Sequence, residues 1–439
     1  MPKSTGPGTP AASPFAPLPT ETPAPPAPPG QLVPRSFPAP HSYGPSYPPP
    51  TPIPDPVQPL RLPNDAVNVL LLGSDRRSGR TFRTDTIILV SIHPSKRAAA
   101  LISVPRDLYV YLPGFNMQRI NAALPLGDSF GYPGGGRAML ADAIQYNLGI
   151  SVDYFAQVDM SGFQRIVDRL DGIEVHVSCS YTDWRLISPE LDPEDEDNWA
   201  LYTVPAGVVQ MNGDLALWYA RSRAKSSDFD RARRQQEVLR AMHRRVLRLD
   251  LIPKIPELYG EMVEAVSTDL SLTDLIRLAP QAARIEPARV RSRFIGRDQV
   301  TSWRTPTGGQ VLLPKQDEVR ALLESALDFD QPDPLVPDEQ ISVEVLNASR
   351  QQDWATLAAE RLTYAGFDAH ALRRQVEPTR SRLIDYGRAE PEHRREILSS
   401  LGLRSDAWVA SDGNGGSVDY TLLVGDNYDP CFDPTRDQR

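Results

Sequence analysis

Cysteine is nearly absent from this chain: Cys179 and Cys431 are the only two in 439 residues. No CxxC pair or zinc-ligand spacing can be made from them, and a disulfide framework of the kind that staples small secreted domains is excluded. Two cysteines leave the redox compartment open. No run of ~18 apolar residues occurs, so no membrane-spanning helix is visible, and no apolar signal-peptide segment stands at the N-terminus. Positive charge is not in excess either. The net charge of -9 gives no support for a protein that binds nucleic acid over its whole surface.

Proline is abundant and unevenly placed. About half of the 44 prolines precede Asn64, mixed with Ala, Ser, Thr and Gly. Such a stretch buries too little apolar surface to offset its ordering entropy, so residues 1–64 are expected to be a disordered or polyproline-like linker. A second linker, 331–340, is expected around Pro332–Pro337. The two remaining segments, 65–330 and 341–431, are long enough for independent cores.

In the first segment, Val67–Leu72, Thr86–Ile92 and Ala98–Val104 are short, rich in Ile, Leu and Val, and bounded by turn residues. That pattern predicts buried strands. Gly134–Leu148 places Met139, Leu140, Ile144 and Leu148 on one helical face. Tyr154–Val158 reads as a strand, Ser161–Leu170 as a helix, and Gly172–Val177 as a strand again. The alternation predicts an α/β domain, a layered mixed sheet flanked by helices. Residues 180–200 read as an acidic, irregular insertion. A long helix is expected over Asp230–Leu249. In the second segment, the order strand (Ile341–Leu346), helix (Ala355–Ala365), strand, helix (Glu392–Leu401) and strand (Val418–Val424) predicts a small α+β domain.

Charged residues recur where the buried strands end. Asp75 follows the first, Arg83-Thr84-Asp85-Thr86 opens the second, and Pro105-Arg106-Asp107 closes the third. Arg119-Ile120-Asn121 lies in the next loop. Strand ends are where an α/β sheet usually builds its ligand site. A second group comes much later: Arg221-Ser222-Arg223, Asp228, Arg231 and Gln235. Between Arg221 and Arg248 stand ten Lys or Arg against three acids; a solvated helix face accounts for that count as well as a ligand does. Guanidinium forks bind phosphate oxygens bidentately and stay charged at any working pH. Several of them with two carboxylates suit a pyrophosphate held partly by Arg and partly by Mg²⁺, which takes one or two carboxylates plus phosphate and water. Asp75 and Asp85 are the candidate metal ligands.

Taken in order, Gly73-Ser74-Asp75, Arg83-Thr84-Asp85-Thr86, Ser103-Val104-Pro105-Arg106-Asp107, Arg119-Ile120-Asn121, Asn212-Gly213, Arg221-Ser222-Arg223, Asp228-Phe229 and Arg231…Arg234-Gln235-Gln236 resemble the LytR–CpsA–Psr family over about residues 66–250. The segment 341–425, with Glu344-Val345-Leu346-Asn347-Ala348-Ser349 and Ala365-Gly366-Phe367, resembles the C-terminal domain often attached to its members. The resemblance implies a cell-envelope, extracytoplasmic phosphotransferase, membrane-associated in the family. It would move a glycopolymer from a polyprenyl-pyrophosphate carrier onto a peptidoglycan acceptor with Mg²⁺ assisting. Carried over by motif, Arg83, Arg106, Arg119, Arg221, Arg223, Arg231 and Gln235 would bind the pyrophosphate. Asp228 would be the base, or else a helix N-cap, with Arg106, Arg221 and Arg223 completing the catalytic set. The same residues would serve a polyprenyl-pyrophosphate hydrolase, or a non-catalytic envelope regulator that binds the lipid pyrophosphate. Oligomeric state is not legible.

Overall fold

Aliphatic runs pair into the first hairpin, β1 (Val67–Arg76) and β2 (Phe82–His93), followed by β3 (Ala98–Ser103). The structure is a computed structural model. It describes residues 36–46, 48–76, 82–223, 228–285, 289–329, 341–411 and 417–432, without the side chains of Asp75, Arg76, Phe82, Arg83 and Glu261. Short strands β4 (Tyr109–Tyr111) and β5 (Met117–Arg119) lead into helices α1 (Ala123–Ser129) and α2 (Gly135–Leu148). Then come β6 (Tyr154–Asp159), α3 (Met160–Arg169), β7 (Ile173–Val177), the hairpin β8 (Tyr181–Leu186) and β9 (Trp199–Val204), and β10 (Gly207–Met211). Helices α4 (Gly213–Arg221), α5 (Asp228–Arg248) and α6 (Ile255–Ala265) follow, then β11 (Val266–Thr268) and α7 (Leu272–Ala283). The first segment closes with β12 (Val290–Phe294), β13 (Val300–Arg304), β14 (Gln310–Pro314) and α8 (Gln316–Leu327).

Among the described residues the central sheet has six strands in the order β11-β6-β1-β2-β3-β12. It is mixed: β1 runs antiparallel to β2 and parallel to β6, and β12 runs parallel to β3. Its core joins Leu70, Leu72, Ile87, Leu89 and Ile102 to Met139, Leu140, Ala143 and Ile144 of α2. The apolar face of α2 is therefore spent on packing. Close approach of α1 and α2 depends on Gly136, where a Cβ would stand 1.9 Å from the Leu124 carbonyl oxygen. A separate core lies under β7, where Val175 and Val177 meet Tyr219, Val238 and Ala241 of α4 and α5.

Residues 341–432 build a second sheet. Its elements are β15 (Ser342–Ala348), α9 (Trp354–Tyr364), β16 (Asp368–Gln375), β17 (Arg382–Asp385), α10 (Pro391–Ser400), β18 (Trp408–Ala410) and β19 (Tyr420–Gly425). The strand order β16-β15-β19-β17-β18 covers a core of Val343, Val345, Leu362, Phe367, Ile397 and Leu422. This domain sits on β10 and α5. Asp353 accepts the Val208 amide at 3.0 Å, and Gly207 (φ 142°) leaves room for that carboxylate. Glu360 is clasped by His176 and Arg244.

Two expectations need correction, and one covalent link was not legible in the sequence. Part of the stretch assigned to a linker, between Phe37 and Leu62 among the described residues, is held against the first domain. Tyr43 N–H donates to the Gly114 carbonyl (2.7 Å), Leu60 N–H to that of Gly149 (2.8 Å), and the Phe37 ring packs edge-on against Tyr146. Prolines have no N–H to satisfy and little entropy to lose, so a few aromatic and aliphatic anchors suffice to dock such a strap. Residues 1–35 and the second linker lie outside the described residues. The 180–200 stretch, expected to be irregular throughout, holds strand β8 and the start of β9, because Tyr181 and Asp183 turn inward and find partners that the local sequence does not announce. Finally, Cys179 and Cys431 form a disulfide across 252 residues, joining the end of the second domain to the turn before β8. No helix among the described residues is long and apolar enough to cross a membrane.

Candidate active site

The β1–β2 ladder breaks where the motif begins. Gly73 faces Thr86 and Ser74 faces Thr84, so Asp85 is the extra residue of a bulge. Bulges re-aim side chains and gather at functional sites. The Asp85 carboxylate meets Arg106 Nη1 at 2.5 Å and Arg223 Nη2 at 3.6 Å. Residues over a hundred positions apart therefore converge on one oxygen. From Arg106 the chain of charges continues to Asp107 (3.3 Å) and from Asp107 to Arg119 (3.4 Å). Arg119, expected in a loop, is the last residue of β5 and donates to the Gln310 carbonyl at 2.8 Å.

The other wall is the start of α5. Asp228 is the first residue of the helix, and its carboxylate pairs with Arg231 three residues on, at 2.6 Å. Gln235, one turn later, donates to Thr86 Oγ1 (2.8 Å), which ties the helix to the strand beside the bulge. Gln236 donates to Ser103 Oγ (2.9 Å) and to the Arg293 carbonyl (3.2 Å), fastening α5 to the ends of β3 and β12. Between these walls lies a cleft lined by Asp85, Thr86, Arg106, Asp107, Asp228, Phe229, Arg231 and Gln235 among others. The positive end of the α5 dipole adds to its attraction for an anion.

Its electrostatics are uneven. Burial lowers the affinity of Arg106 for its proton, but the bond to Asp85 and the charges of Asp107, Asp85 and Asp228 outweigh this and hold the pKa up. Arg231 is 5% exposed, and its pKa is lowered by burial first; Asp228 and Asp85 oppose that, while Arg223 and Arg106 add to it. A buried guanidinium crowded by two others gains from any anion that enters. Arg221 ends α4 at the surface.

Of the predicted site, Asp85, Arg106, Arg119, Arg223, Asp228, Arg231 and Gln235 come together on this cleft and its rim. The side chains of Asp75 and Arg83 lie outside the described residues; their backbones face each other across the ladder, next to the bulge. Other residues were missed as supports. Arg234 is 1% exposed and donates Nε to the Tyr219 carbonyl at 2.9 Å and Nη2 to that of Ser222, with its guanidinium 3.9 Å over the Tyr181 ring. Asp183 accepts the Arg223 amide at 2.9 Å. Together they brace the turn that carries Arg221 and Arg223. The sequence offers Arg234 only as another cation, and Asp183 only as part of an acidic run.

The LytR_cpsA_psr family model matches residues 54–325. The chain belongs to this family. Curated relatives include the polyisoprenyl-teichoic acid–peptidoglycan teichoic acid transferase TagU of Oceanobacillus iheyensis, 32% identical over 213 residues, or 48% of this chain and 61% of that protein. Another is the regulatory protein MsrR of Staphylococcus aureus, 29% identical over 46% of this chain and 56% of that one. The match thus spans about three fifths of the length of these relatives. Similar solved structures include B. subtilis TagV (25% identical, TM-score 0.48, 61% of this chain and 98% of that one) and TagT bound to LI-WTA (26%, 0.45, 60% and 91%).

Could the cleft of this LytR_cpsA_psr member hold Mg²⁺? Among the described residues no group of three or more His, Cys, Asp or Glu side chains gathers. Asp85, aimed by its bulge toward the arginines, with Asp75 adjacent in the ladder, fits the sparser set that Mg²⁺ takes beside a phosphate.

Proposed function

We propose that the chain is a phosphotransferase that moves a glycopolymer from a polyprenyl-pyrophosphate carrier onto peptidoglycan. The observation that carries this reading is the convergence of Arg106 and Arg223 on Asp85, opposite Arg231 at the start of α5. Membership of a family whose relatives include a teichoic acid transferase supports it. The Cys179–Cys431 disulfide supports an oxidising, extracytoplasmic setting, where such bonds persist.

Phosphoryl transfer needs position and charge neutralisation more than covalent chemistry, which suits a cleft lined by arginines. Arg106, Arg223 and Arg231 bind the two phosphates, with Arg119 at the rim; Arg83 and Arg221 would add to the same binding by their place in the motif, and Gln235 fixes the helix that carries Arg231. An acceptor hydroxyl oxygen attacks the phosphorus that bears the glycan. A new P–O bond forms as the bridging P–O bond breaks, and polyprenyl phosphate leaves with the electron pair. Asp228, at the mouth of the cleft, takes the proton of the acceptor hydroxyl. Mg²⁺ held by Asp75 and Asp85 would supply further neutralisation of the phosphate charge.

The test is incubation of the full chain with a lipid-pyrophosphate glycan and peptidoglycan fragments, with and without Mg²⁺. The expected product is glycan joined to the fragment through a phosphodiester, with lipid monophosphate released. Lipid monophosphate without any joined glycan would refute transfer in favour of hydrolysis, and binding without turnover would leave a regulator.

A further inference from the structure

Strand β8 has two faces, and the cleft uses one. Tyr181 and Asp183 turn inward, where they support Arg234 and the Arg223 amide. Thr182 and Trp184, with Ser180 just before the strand, alternate onto the other face; Thr203 and Leu201 of β9 are the register partners of Thr182 and Trp184. On that face Trp184 is 54% exposed and Leu201 58%. The strip is nevertheless fixed: the Trp184 carbonyl accepts Trp218 Nε1 at 2.8 Å, and the Thr182 and Thr203 hydroxyls bond at 2.7 Å. At its start it enters a groove of about 400 Å³ between the two domains, walled by Ser180, Thr203, Gln351 and Trp354. The Cys179–Cys431 disulfide joins the two walls, so the groove is preformed.

Its charge is opposite in character to that of the cleft. Among the described residues no Lys or Arg lines the groove, and Asp429 is the one charged residue on its wall. The loop beyond Trp184 carries six acids between Ser188 and Asn198 and no base. An anionic polymer is repelled here and drawn to the arginines instead. Indole faces with hydroxyl and carboxamide groups are what an uncharged sugar chain needs: rings stack on Trp, while hydroxyls and acetamido groups exchange hydrogen bonds. We propose that this groove and strip form a binding track for a neutral, N-acetylated glycan strand, the acceptor of the reaction. The acceptor role rests on the transferase reading; the binding does not. A ligand on the track lies across one strand from the turn bearing Arg221 and Arg223.

The probe is chitohexaose, titrated calorimetrically into the full chain, with a heparin hexasaccharide as the anionic comparison. Chitohexaose is expected to bind. Trp184→Ala weakens it about tenfold, as loss of one stacking contact does, and Ser180→Arg, which fills the groove, abolishes it. Both positions are exposed, and unchanged melting verifies folding. No binding by the unaltered chain at millimolar sugar, or equal binding by Ser180→Arg, overturns the track. So does heparin binding that Ser180→Arg abolishes. In the transfer assay Ser180→Arg should raise the KM for acceptor while kcat holds. If glycan binding is lost in Ser180→Arg but the unaltered chain transfers nothing, the track stands and the transferase reading falls. If transfer proceeds with unaltered KM in both variants, the acceptor role of the track falls and the transferase reading stands.

Discussion

Replacing Glu360 with Gln should separate the second domain from the first in a pH-dependent way. Glu360 lies on α9, its side chain 16% exposed, clasped by His176 and by Arg244 at 2.5 Å. Arg240 also faces it, as does Tyr364, whose phenol is held neutral chiefly by burial. Burial alone would raise the carboxyl pKa. The His176 hydrogen bond and the charges of Arg244, His176 and Arg240 overcome burial and bring it from 4.5 to about 2. A carboxyl that titrates so far below its unfolded value contributes about 3 kcal/mol once ionised in both states. Because the folded pKa is depressed, the contribution is complete above about pH 4.5 and is lost as pH falls toward 2. Glu360→Gln, nearly isosteric, should therefore cost about 3 kcal/mol at pH 7 and almost nothing at pH 2. With a urea dependence of ~1–3 kcal/mol per molar, the midpoint at pH 7 falls by about 1–3 M. The assay is urea unfolding followed by tryptophan fluorescence at pH 7, 4 and 2, with the disulfide intact. Coincident midpoints at pH 7, or the same gap at pH 7 and pH 2, would show that the clasp does not stabilise the docked domain.

Reduction of the disulfide, or Cys431→Ser, should cost up to ~5 kcal/mol in a chain-entropy account of so long a loop; urea midpoints with and without dithiothreitol measure it. Arg234→Lys should lower stability by ~2–3 kcal/mol, because an ammonium cannot reach both the Tyr219 and Ser222 carbonyls as the planar fork does. Thermal melting reads that loss, and unchanged melting would remove the brace from the account. Asp85→Asn should reduce transfer by ~10²–10³-fold, the range for losing one preorganised charged group, while shifting the urea midpoint little, since its carboxylate is one-third exposed. Activity within a factor of a few of the unaltered chain would exclude Asp85 from the chemistry.

Local pattern sufficed wherever the physics was local. Strands β1, β2 and β3 follow from short aliphatic runs between turn residues, and α2 from apolar positions at helical spacing. The mixed sheet follows from their alternation with helices. Charged residues at successive strand ends pointed to a candidate anion site, since buried strands place charge where they emerge. Long-range pairing was not legible. The bulge at Asp85 exists because the β1–β2 register slips between Gly73 and Ser74, a property of two strands together. Only tertiary packing distinguishes Arg231, crowded in the cleft, from Arg234, which lies three residues along the same helix and holds up the turn behind it. The docking of the proline-rich strap, the β8–β9 hairpin with its two faces, and the Cys179–Cys431 bond likewise depend on partners tens to hundreds of residues away. Periodicity reports which side of an element is buried; what it is buried against, and so which charge becomes a ligand and which a brace, is decided by the assembled chain.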